Sequence, residues 1–177
     1  MNRIKKVLIS EEQIKTKVAE LGERLTRDYQ GKNPVFLCVC KGSFVFTADL
    51  IRAFEDHCEI DFIFVSSYGA STHSSGKVRL LKDLTVDISG RDVIVVEDIL
   101  DTGITLQFIL ELIKEKHPNS VKVCTFLDKP ERRVSNIFAD YVGYEIPNEF
   151  VIGYGLDLAE KYRNLPYIGI YDEEGSV

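Results

Sequence analysis

The sequence predicts an α/β domain in which a parallel β-sheet is covered by helices. Three observations predict it. Short apolar runs alternate along the chain with stretches of helical period, the order that strand–helix–strand units require. The run Val93-Ile94-Val95-Val96 is apolar at every position, as a strand covered on both faces must be. The 177 residues are 45% hydrophobic and 28% charged, with no internal repeat, low-complexity tract or linker. A single domain spanning residues 1–177 is therefore expected. At this size a core forms without a disulfide or metal staple.

The elements follow in order. Ser10-Glu11-Glu12-Gln13 fits a capping box. Ile14, Val18, Leu21 and Leu25 recur behind it at helical spacing, which predicts a helix over 10–29. After a turn at 31–34, Val35–Cys40 reads as a buried strand. Lys41-Gly42-Ser43 breaks it, and Phe44, Ala48, Leu50, Ile51 and Phe54 predict a helix over 43–56. A strand is expected over 59–66. Residues 68–77 offer almost nothing to bury, the composition of a functional loop. A strand over 78–84 and a turn at 89–92 lead to the 93–96 strand. Leu106, Ile109, Leu110 and Ile113 predict a helix over 105–115, followed by a strand over 121–127. Short β-like pieces at 140–146, 149–151 and 167–171 complete the chain.

Composition narrows the function classes. The net charge of −6 argues against a nucleic-acid-binding surface. No apolar run approaches the ~18 residues of a membrane span. The basic start, Met1-Asn2-Arg3-Ile4-Lys5-Lys6, has no apolar stretch behind it and is not a signal peptide. Cys38, Cys40, Cys58 and Cys124 include no C-x-x-C pair, and His57, His73 and His117 lie far apart. That spacing does not suit zinc. Reduced thiols and a cytoplasmic location are expected.

The chemistry concentrates in Val93–Leu106. Four β-branched residues run into Glu97, Asp98 and Asp101, then Thr102-Gly103-Ile104-Thr105, and a helix follows. Ligands of open α/β sheets bind beyond the carboxyl ends of the strands. A turn that opens a helix presents free N–H groups to a phosphate. The carboxylates suit sugar hydroxyls or Mg²⁺ one step away. Asp98 or Asp101 alone is adequately explained as a turn former or helix cap. The three acids and two threonines together favour a site. Gly153-Tyr154-Gly155 lacks the third glycine of a dinucleotide fingerprint, and Gly76-Lys77 lacks the flanking residues of a P-loop.

Val93–Leu106 resembles the phosphoribosyl-diphosphate-binding motif of the type I phosphoribosyltransferases. Val39-Cys40-Lys41-Gly42, Ser67-Tyr68, Leu127-Asp128-Lys129-Pro130 and Phe150–Asp157 resemble the hypoxanthine-guanine branch in its short bacterial form, over about residues 8–171. The resemblance implies a Rossmann-like parallel sheet flanked by helices, with a small hood of short strands. It implies purine salvage, in which ribose 5-phosphate passes from phosphoribosyl diphosphate to N9 of hypoxanthine or guanine, giving IMP or GMP and pyrophosphate.

It also implies roles. Asp101 would be the catalytic acid or base at purine N7. Glu97, Asp98, Asp101, Thr102, Gly103, Ile104 and Thr105 would bind ribose and 5-phosphate. Ile99, Lys129, Phe150, Val151 and Asp157 would hold the purine, with Lys129 donating to its 6-oxygen. Lys41, Gly42 and Arg163 would bind pyrophosphate, after a cis Cys40–Lys41 peptide. Ser67 and Tyr68 would head a closing loop. Glu97, Asp98 and Asp157 would serve Mg²⁺. A homodimer or homotetramer is implied, with neither nucleic acid nor membrane as partner. Ser43 and Ile104 depart from common family forms at positions where backbone donors can serve. A nucleotide-binding regulator on the same fold is disfavoured by the net charge and by the presence of Asp101, Lys129 and Arg163. A preference for xanthine stays open.

Overall fold

A computed structural model describes residues 3–68 and 77–172, with only the backbone described for Ser67, Tyr68 and Lys77. The expected loop roles of Ser67, Tyr68 and the residues that follow lie outside these described side chains. The elements are β1 (Ile4–Ile9), α1 (Glu11–Tyr29), β2 (Val35–Cys40), α2 (Phe44–Ala53), β3 (Glu59–Tyr68), β4 (Lys77–Lys82), β5 (Asp92–Leu100), α3 (Ile104–Lys114), β6 (Ser120–Asp128), a 3₁₀ turn (Pro130–Arg132), β7 (Tyr141–Glu145), β8 (Val151–Ile152) and β9 (Ile168–Tyr171).

The main sheet has the order β4-β3-β2-β5-β6-β7. Every neighbouring pair is parallel except β3–β4, which is antiparallel. Alternation across the central strands explains their unbroken apolar runs. Phe36, Ile94 and Val96 face α1 and α2 through Leu21, Leu25, Phe46 and Leu50. Val35, Leu37, Val93 and Val95 face α3 through Leu106, Ile109 and Ile113. Both faces are dry, so no polar side is needed. The capping box forms as expected: Gln13 N–H donates to Ser10 Oγ at 3.2 Å, and Ser10 N–H to Gln13 Oε1 at 2.9 Å.

The short strand expected over 140–146 forms as β7, which extends the main sheet in parallel. Two readings of the sequence need correction. The hood is the antiparallel set β1-β9-β8, and β1 is a strand that the sequence did not reveal. Its lysines face solvent and its register is twice irregular, so no clean alternation marks it. The β5 strand also runs to Leu100, which puts Glu97 and Asp98 inside the strand instead of beyond its end.

Candidate active site

The turn after β5 is fixed from two sides. Gly103 has φ +81, and a Cβ there would overlap the Ser135 hydroxyl, so glycine is required. Thr102 C=O accepts from the N–H groups of Val134 and Ser135 at 3.0 and 3.2 Å. The helix α3 opens at Ile104 with no side-chain cap. Its first-turn N–H groups are the ones an anion would meet.

Arg133, which sequence reasoning missed, clamps this turn from below. Its Nε donates to Asp101 C=O at 2.9 Å and its Nη1 to Ile137 C=O at 2.7 Å. Its Nη2 pairs with Asp128 and reaches Leu100 C=O. One buried guanidinium thereby ties the end of β5 to the end of β6, using the fork geometry that lysine lacks. The basic pair Arg132-Arg133, one residue after Lys129-Pro130, was the available signal.

Beside the turn lies a cavity of about 630 Å³. Ile99, Asp101, Lys129, Arg132, Phe150, Val151, Leu156 and Asp157 contribute to its wall. Lys129 is 7% exposed, and its ammonium donates to Glu149 C=O at 2.6 Å. Burial holds it below the ordinary lysine range, while Asp101 and Glu149 pull it back in part. Phe150 is 40% exposed and meets Tyr171 edge-on, with centroids 5.9 Å apart. One Phe150 surface is thus free for a planar ligand. Asp101 Oδ1 is buried and accepts no hydrogen bond, although Arg132 Nε stands 2.7 Å away in an ion pair of poor alignment.

A second group of charges adjoins the first. Arg163 pairs with Asp157 at 2.9 Å and donates to Gly155 C=O at 2.7 Å. Glu160 pairs with Arg163 at 3.4 Å and with Lys41 at 3.2 Å. Burial pushes Asp98 up to about 6, against the Ile99 N–H bond and the nearby Arg163, while Asp157 adds to the rise. Glu97 is pushed well above the carboxylate range by burial first and by Asp98 and Cys38 after it. Gly42 lies so close to Asp98 that a Cβ on it would overlap the carboxylate. The Cys40–Lys41 peptide is cis, as the resemblance implied.

Residues 8–159 match the phosphoribosyl transferase domain. The chain belongs to the phosphoribosyltransferase family. Within the family it is similar to the hypoxanthine-guanine phosphoribosyltransferase of Streptococcus thermophilus, at 56% identity over 171 residues, 97% of this chain and 95% of the relative. The enzyme of that name from Streptococcus agalactiae is 57% identical over 173 residues, 98% of this chain and 96% of the relative. A solved hypoxanthine phosphoribosyltransferase from Staphylococcus aureus superposes with TM-score 0.92 at 51% identity, covering 96% of this chain and 92% of that one. A Bacillus anthracis hypoxanthine-guanine phosphoribosyltransferase gives 0.90 at 54% identity, covering 94% and 98%.

This phosphoribosyltransferase chain thus gathers Ile99, Asp101, Lys129, Phe150, Val151 and Asp157 around one cavity. Lys41 and Arg163 share the wall of a second cavity of about 550 Å³. Gly42 and Asp98 are in close approach. Thr102, Gly103, Ile104 and Thr105 form the turn and first turn of α3. Glu97 stands apart, buried and absent from the wall of either cavity. Among the described residues no helix is long and apolar enough to cross a membrane.

Proposed function

We propose that this chain transfers ribose 5-phosphate from phosphoribosyl diphosphate to N9 of hypoxanthine or guanine, giving IMP or GMP and pyrophosphate. The observation that carries this reading is the cavity joining a buried lysine, an aromatic face and a carboxylate: Lys129, Phe150 and Asp101. Lys129 donates to the purine 6-oxygen, exchanging or sharing its bond to Glu149 C=O. Phe150 and Ile99 sandwich the ring, and the Val151 backbone meets its edge. Asp101 holds the proton at N7, and its buried, unbonded Oδ1 supports that role. Asp101 to Thr105 bind the 5-phosphate at the start of α3. Lys41, Gly42 and Arg163 receive pyrophosphate, whose charge they offset as the glycosidic bond breaks. Ser67 and Tyr68 head the loop that excludes water.

A divalent cation fits the acidic residues. Among the described residues no three His, Cys, Asp or Glu side chains converge on one metal position. Mg²⁺ is ordinarily held by one or two carboxylates plus substrate oxygens. Asp98, raised by burial and by Asp157, is a carboxyl whose ionised form a cation would stabilise. Asp98 and Asp157 would hold Mg²⁺, with Glu97 behind them. The bound ion supplies charge neutralisation for the pyrophosphate.

The chain works as one domain in the cytoplasm and assembles with copies of itself. Association is supported by the exposed Phe44, Ile60, Phe62 and Leu81. The test measures pyrophosphate release with phosphoribosyl diphosphate, Mg²⁺ and each of hypoxanthine, guanine, xanthine and adenine. Hypoxanthine and guanine are turned over, adenine is not, and excess chelator stops the reaction. A Lys129→Gln variant loses roughly 10–150-fold in kcat/KM for hypoxanthine, the worth of a charged hydrogen bond. Equal use of adenine by the unmodified chain overturns the base assignment, and full activity in chelator overturns the metal.

A further inference from the structure

Two of the four cysteines stand side by side at the end of β2 and take no part in the transfer described above. Cys38 is buried and Cys40 is partly exposed. Their sulfurs are 3.7 Å apart. The Ser43 hydroxyl gives its proton to Val39 C=O at 2.7 Å. Its 3.3 Å contact with Cys38 Sγ therefore has the Cys38 thiol as donor. That leaves the Cys38 lone pairs turned toward Cys40. The mutual contact eases loss of the pair's first proton and opposes loss of the second. Cys40 also lines the second cavity with Lys41, Lys82 and Arg163, which makes it the sulfur a small oxidant can reach; Cys38 and burial hold its proton, and Lys82 only partly opposes them.

We propose that Cys38 and Cys40 are a peroxide-oxidised dithiol whose disulfide displaces Lys41 and Gly42. The Cys40 sulfur attacks the terminal oxygen of a hydroperoxide, the O–O bond breaks, and the alcohol or water leaves with the Cys40 thiol's proton. Cys40 is then a sulfenic acid. The Cys38 sulfur attacks the Cys40 sulfur, the S–S bond forms, the S–O bond breaks, and water carries away the Cys38 proton. Two thiols and one hydroperoxide yield one disulfide, one alcohol or water, and one further water. The thiols lose two electrons and the peroxide gains them.

The geometry makes the bond reversible. Two residues of strand span about 6.4–6.8 Å, the top of the range that disulfides bridge, which is about 4.4–6.8 Å between Cα atoms. A bridge under such strain is the readily reduced kind. It draws Cys40 out of its pairing with Phe64 in the β2–β3 ladder. Lys41 and Gly42 are next along the chain. Gly42 has no room to follow, because Asp98 crowds its α-carbon and its carbonyl crowds Gly155. Oxidation therefore disturbs the proposed pyrophosphate contacts, a consequence that rests on the proposed function.

The experiment treats the full chain with hydrogen peroxide, alkylates it under denaturing conditions, and maps the peptides by mass. The peptide holding Cys38 and Cys40 becomes lighter by two hydrogens and takes no label, while Cys58 and Cys124 are alkylated. Dithiothreitol restores the label. In parallel, KM for phosphoribosyl diphosphate rises about tenfold on oxidation, as misplaced binding groups predict, and returns on reduction. The Cys40→Ser variant keeps its KM under peroxide. Continued labelling of both thiols, oxygen added to Cys40 without a bridge, or a bridge between two copies overturns the dithiol. A bridge that forms with KM unchanged overturns its effect on Lys41. The mass result stands even if the reduced chain releases no pyrophosphate, so failure of the transfer reading is separately visible.

Discussion

Glu160 is the side chain in the pyrophosphate region whose part is least expected from its charge. Lys41 and Arg163 both pair with it, and Lys41 is the larger cause of its lowered pKa. A carboxylate thus sits where two cations converge for a polyanion. Its own N–H donates to Asp157 Oδ2 at 2.8 Å, which fixes it beside the acid proposed for Mg²⁺. Glu160 therefore competes with substrate phosphate for the same donors. It is 65% exposed, so the competition is shallow and screened by salt. Glu160→Gln is expected to lower KM for phosphoribosyl diphosphate about two- to fivefold at low ionic strength, with kcat little changed and the gain fading as salt rises. An unchanged low-salt KM would refute the competition. Sequence reasoning had no route to this contact, because Lys41 and Glu160 are 119 positions apart. Lys129 was legible because its neighbours form a motif. Arg133 stands four residues beyond it, outside the motif, and two of its partners, Leu100 and Asp101 at the end of β5, are distant in sequence.

At the scale of elements, the central strands were legible, and so was β3 as a strand, but not which of its side chains are buried. Val93–Val96 announces a buried strand, and Ser10–Gln13 announces the start of α1, because each signal is local. In β3 the usual pattern is inverted. Ile60 and Phe62 are 37% and 38% exposed, while Asp61 between them is buried. Asp61 is the anchor of the β4–β5 connection. Its Oδ2 accepts from Thr85 N–H at 2.5 Å and Val86 N–H at 2.8 Å, and its Oδ1 accepts from Phe62 N–H at 2.8 Å. Burial alone would raise its pKa, yet these donors win and hold it below the ordinary value. A depressed folded-state pKa gives stability that is present above the unfolded value near 4 and lost as pH falls through the folded one. Asp61→Ala leaves the part-buried Thr85 and Val86 N–H groups without this partner. It is expected to cost about 2–4 kcal/mol at neutral pH, and less below pH 4. Urea unfolding at both pH values checks this. A loss under about 0.5 kcal/mol at neutral pH would show that water replaces the carboxylate.

For the whole molecule, the acid-rich end of the sheet sets stability against function. Glu97 and Asp98 lie within β5 because the strand continues to Leu100, and the sequence concealed this: carboxylates after an apolar run read as the strand's end. Asp98 is raised from 3.8 to about 6, with burial the first cause and Asp157 a further one. A carboxyl whose folded pKa is raised binds its proton more tightly when folded. Stability therefore falls as pH rises from about 4 to about 6, and the full penalty persists above that window. The shift corresponds to about 3 kcal/mol, and partial solvent contact reduces it to about 1–3 kcal/mol. Asp98→Asn keeps an oxygen for the 2.8 Å bond from Ile99 N–H while removing the charge. The variant is expected to be more stable than the unmodified chain by about 1–3 kcal/mol at pH 8 without divalent cations, and equally stable at pH 4. Adding Mg²⁺ with pyrophosphate should then stabilise the unmodified chain more than the variant, because ligand binding to the folded state is what offsets the buried charge. Turnover in the variant should fall by about 10²-fold or more if the carboxylate positions the cation. Urea unfolding at the two pH values, with and without ligand, separates these effects. An unstabilised but inactive variant would place Asp98 in the reaction without strain, whereas a stabilised and active one would remove it from the cation site.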